Sequence, residues 1–475
     1  MSHVTHLAPH ATEHGPVDRS APRHHVRPAA GNWCNDPNGP LFHDGRYHLF
    51  FQHNPHAAVW GHIHWGHASS ADLVHWTDHG IALAPSPDLP DRLGAWSGCA
   101  VVEDGVPTAV YTGMDREDGI GSVMVARAVD PGVGRFEALP RPVVPGPPPG
   151  LDLLAFRDPY VFTYEGRRWA LIGAGHRGRG PRPDVLVYRI GDSGLDQPWQ
   201  YAGSLLDAEH PALTRHAMPA EAWECPALIP LGGDRWMLIL SLWLDGVTYT
   251  ATYLTGTLCT RGEGLRFEPD GTGGLLDHGR DFYAPTALVE ADRTLVWGWS
   301  WESRTEEASV AAGWAGCLTY PRELGLHPDG TVRHAFAREL LGLRGRELSP
   351  GDGLPPAYEL QVDVRVQAPD AEVTVRLGPA VALVINPTRG TLTLDRSAAP
   401  ASTPRPYLRT ATVTAPGPCT PTGTLRVLVD GPLVEAVWAE HTALTEKVYP
   451  APEGEWSVEV TQSAAEVAAR GWEHA

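Results

Sequence analysis

The sequence predicts an all-β protein, a five-bladed β-propeller followed by a C-terminal β-sandwich. Three observations predict it. A short polar or aromatic motif recurs five times, and nine or ten residues after its first residue comes a tight acidic or Gly turn. The motifs Asn35 to Asn38, Trp96 to Cys99, Arg157 to Pro159, Trp223 to Pro226 and Phe282 to Pro285 lead to turns at Gly45, Gly105, Gly166, Gly233 and Asp292, so the turns are 60, 61, 67 and 59 residues apart. A unit of that length holds four strands with loops, the content of one propeller blade. The composition agrees: Gly 51, Pro 45 and Trp 17 in 475 residues fit many short strands joined by turns better than long helices. Beyond Tyr358 the repeat gives way to plain alternation of apolar and polar residues, the pattern of a sandwich.

Taken in order, residues 1–30 are an N-terminal extension of scattered His, Pro and Ala, without the apolar run of about 7 to 15 residues that marks a secretory signal. Residues 31–334 are the propeller. Each turn is flanked by strand-like sequence, as in Pro40 to His43 before Asp44-Gly45 and Arg46 to Phe51 after it; Tyr160 to Tyr164 with Arg167 to Ile172, and Ala227 to Pro230 with Arg235 to Leu240, repeat the design. The fifth copy, Thr286 to Val289 and Thr294 to Trp301, is the weakest, because Glu290-Ala291-Asp292-Arg293 replaces the Gly turn. Residues 335–355 form a linker, with Ala335 to Arg346 as a short helical connector before the breakers Pro350, Gly351, Gly353, Pro355 and Pro356. Residues 356–475 are the sandwich, with strands such as Glu359 to Val366, Val373 to Leu377, Leu425 to Val429 and Trp456 to Val460, and its expected role is to pack against and stabilise the propeller.

Charge and cysteine narrow the function classes. The formal net charge is 37 − 56 = −19, which repels nucleic acid and anionic membranes and leaves a neutral small molecule as the easier partner. No stretch approaches the ~20 apolar residues of a membrane helix, and the expected location is the cytoplasm. Cys34, Cys99, Cys225, Cys259, Cys317 and Cys419 are widely spread without CxxC pairs, so no zinc site or disulfide scaffold is indicated; those within the motifs read as packing residues. Oligomeric state is left open.

Inner strands of a propeller line its axis, so motifs that begin them converge on one mouth. Asp36, Asp158 and Glu224 then form a converging set of carboxylates. Glycoside hydrolysis through an oxocarbenium-like transition state needs one carboxylic acid to protonate the departing oxygen and one carboxylate facing the anomeric carbon, about 5 to 5.5 Å apart when configuration is retained. Glu224, between Trp223 and Cys225-Pro226, is expected in apolar surroundings that favour its protonated form, which suits the proton donor. Asp36, among the donors of Asn35, Asn38 and Gly39, suits an ionised nucleophile. Asp158, next to Arg157, is expected to stay anionic and to stabilise positive charge. Trp33, Trp60, Trp96, Trp223 and Trp299 offer flat faces for sugar rings, with Asn35, Gln52 and Ser97 to orient them. His62, His64 and His67 invite a metal reading, but no carboxylate is near them in sequence and the mechanism needs no metal; no cofactor motif is present.

Trp33-Cys34-Asn35-Asp36-Pro37-Asn38-Gly39, Phe51-Gln52-His53-Asn54-Pro55, Trp65-Gly66-His67-Ala68, Trp96-Ser97-Gly98, Arg157-Asp158-Pro159, Trp223-Glu224-Cys225-Pro226, Asp281-Phe282-Tyr283-Ala284-Pro285 and Gly313-Trp314-Ala315-Gly316 together resemble the ordered motifs of the glycoside hydrolase family 32 fructosidases. The resemblance spans nearly the whole chain and includes Val429-Asp430-Gly431 and Val434-Glu435 in the sandwich. It implies a retaining double displacement on β-fructofuranosides without a cofactor, with Asp36 as nucleophile, Glu224 as acid/base and Asp158 as stabiliser. It also implies a fructosyl ring surrounded by Asn35, Gln52, Trp60, Ser97 and Arg157. Cys34 stands where that family usually has Met, Cys99 follows the Ser-Gly pair, and Thr286 stands where Gln is common. The expectation is an invertase-like enzyme acting on sucrose or short β-fructosides. Its alternatives are a fructosyltransferase, an inulinase or levanase, an inverting arabinan or xylan hydrolase, and a propeller that binds fructosides without cleaving them.

Overall fold

The computed structural model describes residues 21–178, 180–206, 209–368, 371–399, 412–460 and 465–475. Residues 1–20 of the expected N-terminal extension lie outside them. Five antiparallel sheets of four main strands each begin with Asn32–His43, Gly94–Glu103, Leu153–Tyr164, Ala222–Gly232 and Tyr283–Val289. These first strands pack against one another in a ring, the fifth against the first. They are the inner strands of a five-bladed propeller. The ring is closed by backbone: Trp314–Ala315 pairs in parallel with Asn32 and Trp33, and Asn32 N–H donates to the Gly313 carbonyl at 2.8 Å.

The first two strands of each blade are joined where the repeat places its turns. Asp44-Gly45, Asp104-Gly105 and Glu165-Gly166 each have two successive positive φ angles, 47° and 75°, 51° and 79°, 49° and 71°. That is the turn whose twist matches a hairpin, and Gly accepts it without steric cost. The fifth blade closes the turn by charge instead: Glu290 N–H donates to Arg293 O at 2.8 Å and Arg293 Nε to Glu290 Oε2 at 2.7 Å.

The strand Val332–Phe336 completes the fifth blade, and a short 3-10 helix, Arg338–Leu343, leads directly into the strand Arg344–Leu348. That strand lies at the edge of the six-stranded sheet of the sandwich, although its residues fall in the expected 335–355 linker. The cause is specific pairing: the Arg344 guanidinium stacks 3.8 Å from the Trp472 ring centroid and donates to Glu359 at 2.7 Å. The second sheet of the sandwich has five strands, and Leu360, Val362, Val375, Leu383, Leu394, Val427 and Trp456 fill the space between the two.

Propeller and sandwich meet through buried ions beside an apolar cluster in which Val74, Tyr320 and Phe336 pack with Leu428, Val437 and Ala443. Arg322 of the fifth blade donates to Asp277 at 2.6 Å and to Glu435 of the sandwich at 2.5 Å, and Lys447 reaches Glu302 at 3.3 Å. The segment from Arg23 to His25 is locked in as well. Backbone N–H groups of Arg23, His24 and His25 donate to Asp430, while the His25 ring bridges Asp430 at 2.8 Å and Glu435 at 3.0 Å. Burial alone would discharge His25, but the two carboxylates outweigh it and hold its pKa above the usual value. Removing one partner of such a network strands the others as uncompensated buried charges. Arg322→Met is therefore expected to cost about 3–5 kcal/mol, read as a lower denaturation midpoint; an unchanged midpoint would show that the network contributes nothing.

Candidate active site

Where each inner strand enters the ring, its pairing register slips, between Cys34 and Pro37, Trp96 and Gly98, Glu224 and Ala227, and Tyr283 and Thr286, with the corresponding slip opposite Arg157 and Tyr160 in the third blade. Such bulges re-aim side chains. Four of them contain proline, which has no ladder N–H to lose. Asp158, Cys225 and Ala284, each just before a proline, take positive φ of 65°, 46° and 47°. This is a conformation that residues before proline normally avoid, and it is found where a site over-determines the backbone.

Aligning the motifs on those prolines resolves the site into two tiers. Asn35, Trp96, Arg157, Glu224 and Tyr283 hold one equivalent position, and Asp36, Ser97, Asp158, Cys225 and Ala284 the next. Pro37, Gly98, Pro159, Pro226 and Pro285 follow, and together they surround a small axial void of about 20 Å³. Above it opens a hollow of about 580 Å³. Its lining contains eleven of the twelve residues expected from the sequence: Asp36, Asp158 and Glu224 with Trp33, Asn35, Gln52, Trp60, Trp96, Ser97, Arg157 and Trp299. Trp223 does not join them; its ring is buried in the propeller core and its Nε1 donates to Ala217 O.

Asp36 is held from both sides. Ser97 Oγ donates to Oδ2 at 2.6 Å and Asn35 Nδ2 to Oδ1 at 3.1 Å, while Asn35 also donates to Gln52 Oε1 at 3.0 Å and Gln52 Nε2 donates to Ser97 Oγ. Trp33 Nε1 completes the chain by donating to Asn35 Oδ1 at 2.7 Å. Burial, reinforced by the Glu224 charge, pushes the Asp36 pKa up to about 6 against the opposing bonds from Ser97, Asn35 and Cys225. Asp158, 5% exposed, accepts from Cys225 N–H at 3.0 Å, and Cys225 Sγ lies 3.5 Å from Asp36 Oδ2. Cys225, the residue after Glu224, thus ties the two aspartates together.

Two expectations about electrostatics are corrected. Glu224 does not sit in apolar surroundings: Arg157 Nε and Nη2 both approach its Oε1 at 2.8 Å, and Tyr283 Oη donates to its Oε2 at 2.6 Å. Sequence neighbours on a strand point to opposite faces, so Trp223 says nothing about the surroundings of Glu224. Nor does Arg157 hold Asp158 fully anionic. Its guanidinium is spent on Glu224 and the Gly119 carbonyl, and burial carries the Asp158 pKa up to about 7 despite the nearby positive charge, helped by Glu224 and Asp36.

Tyr283, Trp243, Thr248, Glu117 and Asp118 also line the hollow and were not anticipated. For Tyr283 a signal existed, its proline-aligned equivalence with Arg157 and Glu224. For the others, which lie in or beside loops outside the repeated motifs, none did. Trp60 stands at the mouth 55% exposed, edge-on to Trp96 with centroids 5.4 Å apart, an open aromatic face for a sugar. The histidines go elsewhere: His67 hydrogen-bonds His48 at 3.0 Å and His64 meets the His62 carbonyl at 2.5 Å.

A propeller whose axial mouth gathers three carboxylates in an aromatic-walled hollow of sugar size is the construction of a glycoside hydrolase. Residues 25–334 match the family model "Glycosyl hydrolases family 32 N-terminal domain" and residues 344–470 match "Glycosyl hydrolases family 32 C terminal". The chain belongs to glycosyl hydrolase family 32. It is 36% identical over 345 residues to a raffinose invertase of Escherichia coli and 35% identical over 342 residues to a sucrose-6-phosphate hydrolase of the same organism, each match covering 69% of this chain and 67% of the relative. In fold it is similar to a sucrose-6-phosphate hydrolase from Lactobacillus gasseri, with TM-score 0.79 and 24% identity over 96% of this chain and 93% of that one. Among the described residues no helix is long and apolar enough to cross a membrane.

Proposed function

We propose that this protein is a retaining β-fructofuranosidase that hydrolyses sucrose or short β-fructosides through a covalent fructosyl-enzyme intermediate. The observation that carries the reading is the pair of carboxylates lining one hollow, Asp36 steered by Ser97 and Asn35, and Glu224 fixed by Arg157 and Tyr283. In the first step Asp36 attacks the anomeric carbon as the C–O bond to the leaving sugar breaks, and Glu224 gives that oxygen its proton. In the second, Glu224 takes a proton from water, which displaces Asp36 and releases fructose. Asp158, anchored by Cys225 N–H, stabilises the positive charge on the ring in both transition states. The relatives' names, invertase and sucrose-6-phosphate hydrolase, support a sucrose-type substrate.

The first-formed product decides the stereochemistry. NMR of fructose released within the first turnovers is expected to show β-fructofuranose; α-fructofuranose first would mean direct displacement by water and no intermediate.

Ionisation of Asp36 sets a further expectation. The nucleophile acts as an anion, so kcat/KM should fall with decreasing pH across the raised range of about 6 to 7 that the coupled aspartates occupy, not near the ordinary carboxylate value of 3.8. Ser97→Ala removes the bond that most lowers the Asp36 pKa and should move this limb to higher pH. A limb near 4, or one that does not respond to Ser97→Ala, contradicts the assignment.

A further inference from the structure

Between Val106–Met114 and Ser122–Ala128 the second blade carries the loop Asp115-Arg116-Glu117-Asp118-Gly119-Ile120, of which Glu117, Asp118 and Gly119 line the hollow. The loop is tied down. Gly119 O accepts from Phe156 N–H at 3.2 Å and from Arg157 Nη1 at 3.2 Å, and Gly121 N–H donates to Phe156 O at 3.0 Å. Arg157 in turn holds Glu224. The same guanidinium therefore fixes the proton donor and this acidic loop side by side, so Glu117 and Asp118, both exposed, stand at the mouth where the leaving sugar must sit.

Among the described residues only Asp118 has a basic partner, Arg116, and Glu117 has none. Among the described residues that line the hollow, Arg157 has the single cationic side chain, against the acids Asp36, Glu117, Asp118, Asp158 and Glu224. The neighbouring arginines are engaged: Arg116 on Asp118, Arg92 on the Asp115 carbonyl at 2.6 Å, and Arg177 on the Leu153 carbonyl at 3.0 Å and near Asp152 at 3.6 Å.

We infer that the leaving-group side of this pocket selects uncharged aglycones, so that the chain discriminates against fructosides phosphorylated on the departing sugar, although relatives of similar identity carry the name sucrose-6-phosphate hydrolase. The inference rests on the β-fructofuranosidase reading above. With Asp118 paired to Arg116 the rim presents one net negative charge, and a phosphate bearing close to two negative charges about 7 Å away in water-like surroundings is disfavoured roughly two- to sevenfold depending on salt. A site built for that phosphate would instead present a free guanidinium or ammonium. Trp60, Trp243 and Thr248 provide apolar faces and a hydroxyl, the contacts that a neutral hexose uses.

The test is kcat/KM for sucrose and for sucrose 6-phosphate, at low and at high ionic strength, in wild type, Glu117→Gln and the double variant Glu117→Gln/Asp118→Asn. Wild type is expected to prefer sucrose severalfold at low salt, with the ratio shrinking as salt screens the rim. Both variants should raise kcat/KM for sucrose 6-phosphate more than for sucrose, the double variant most. Equal use of the two substrates, preference for the phosphorylated one, or a preference indifferent to salt and to both variants overturns the inference and leaves the β-fructofuranosidase reading standing. Turnover of neither overturns that reading and the inference with it.

Discussion

Asp36→Asn is expected to lower sucrose turnover by about four orders of magnitude or more while leaving the protein folded. The carboxamide keeps the shape of the side chain, and the groups around it, Ser97 Oγ, Asn35 Nδ2 and Cys225 Sγ, can re-pair with its oxygen and nitrogen. What it lacks is a charge able to form the ester to fructose. Losses on this scale follow when the covalent step itself is removed. Unfolding is not the explanation, because the native carboxylate works against the fold. Its pKa is about 6 in the folded protein against an ordinary value of 3.8. A raised folded pKa means that the stability the group contributes is fully present below about pH 4 and is lost as pH rises through about 6, leaving a penalty on the order of 3 kcal/mol at neutral pH. Asp36→Asn should therefore melt above wild type at pH 7 to 8 and lose that advantage below pH 4. Rates within tenfold of wild type would remove Asp36 from its role; a midpoint lowered at neutral pH would show that its burial is compensated by partners other than those named.

Glu224→Gln is expected to produce the second large loss, about 10³-fold on sucrose, with a dependence on leaving group that identifies the cause. A glutamine at this position still accepts from Tyr283 but has no acidic proton to give, so the penalty falls on substrates whose departing oxygen is a poor leaving group. With an activated fructosyl donor, which needs no proton to depart, the first step should be nearly restored and the second become limiting. Glu224→Ala should then respond to azide, a nucleophile that needs no general base, by forming β-fructosyl azide. Equal losses on sucrose and on the activated donor would point instead to disruption of the Arg157 position, which this carboxylate shares at 2.8 Å. That outcome would reassign Glu224 from proton donor to positioning residue.

Much of this site was legible because the repeat carries it. A motif in phase with turns about sixty residues apart falls at the same bulge in each blade, and the bulge, not the local composition, decides where the side chain points. Composition misled where it stood in for geometry: Trp223 beside Glu224 suggested an apolar setting, yet the partners of Glu224 are Arg157, 67 residues away, and Tyr283, 59 residues away. Tyr283 stands inside a repeated motif, but a tyrosine carries no charge that would mark it in the sequence as a partner of Glu224. The junction between the domains was out of reach for a different reason. His25 meets Asp430 and Glu435 across more than four hundred residues, and ion pairs of that span leave no periodic trace in a single sequence. The acidic rim at Glu117 and Asp118 reads as a solvated surface loop until Arg157 is seen to fasten it beside Glu224.

The most direct test of the central claim is to trap the intermediate. Glu224→Gln is mixed with an activated β-fructosyl donor, quenched in acid, digested and examined by mass spectrometry. One added anhydrofructose unit is predicted on the peptide that contains Asp36, and it should be absent from Asp36→Asn treated in the same way. Release of product with no adduct on any peptide, or an adduct carried by Asp158 in place of Asp36, would contradict the account.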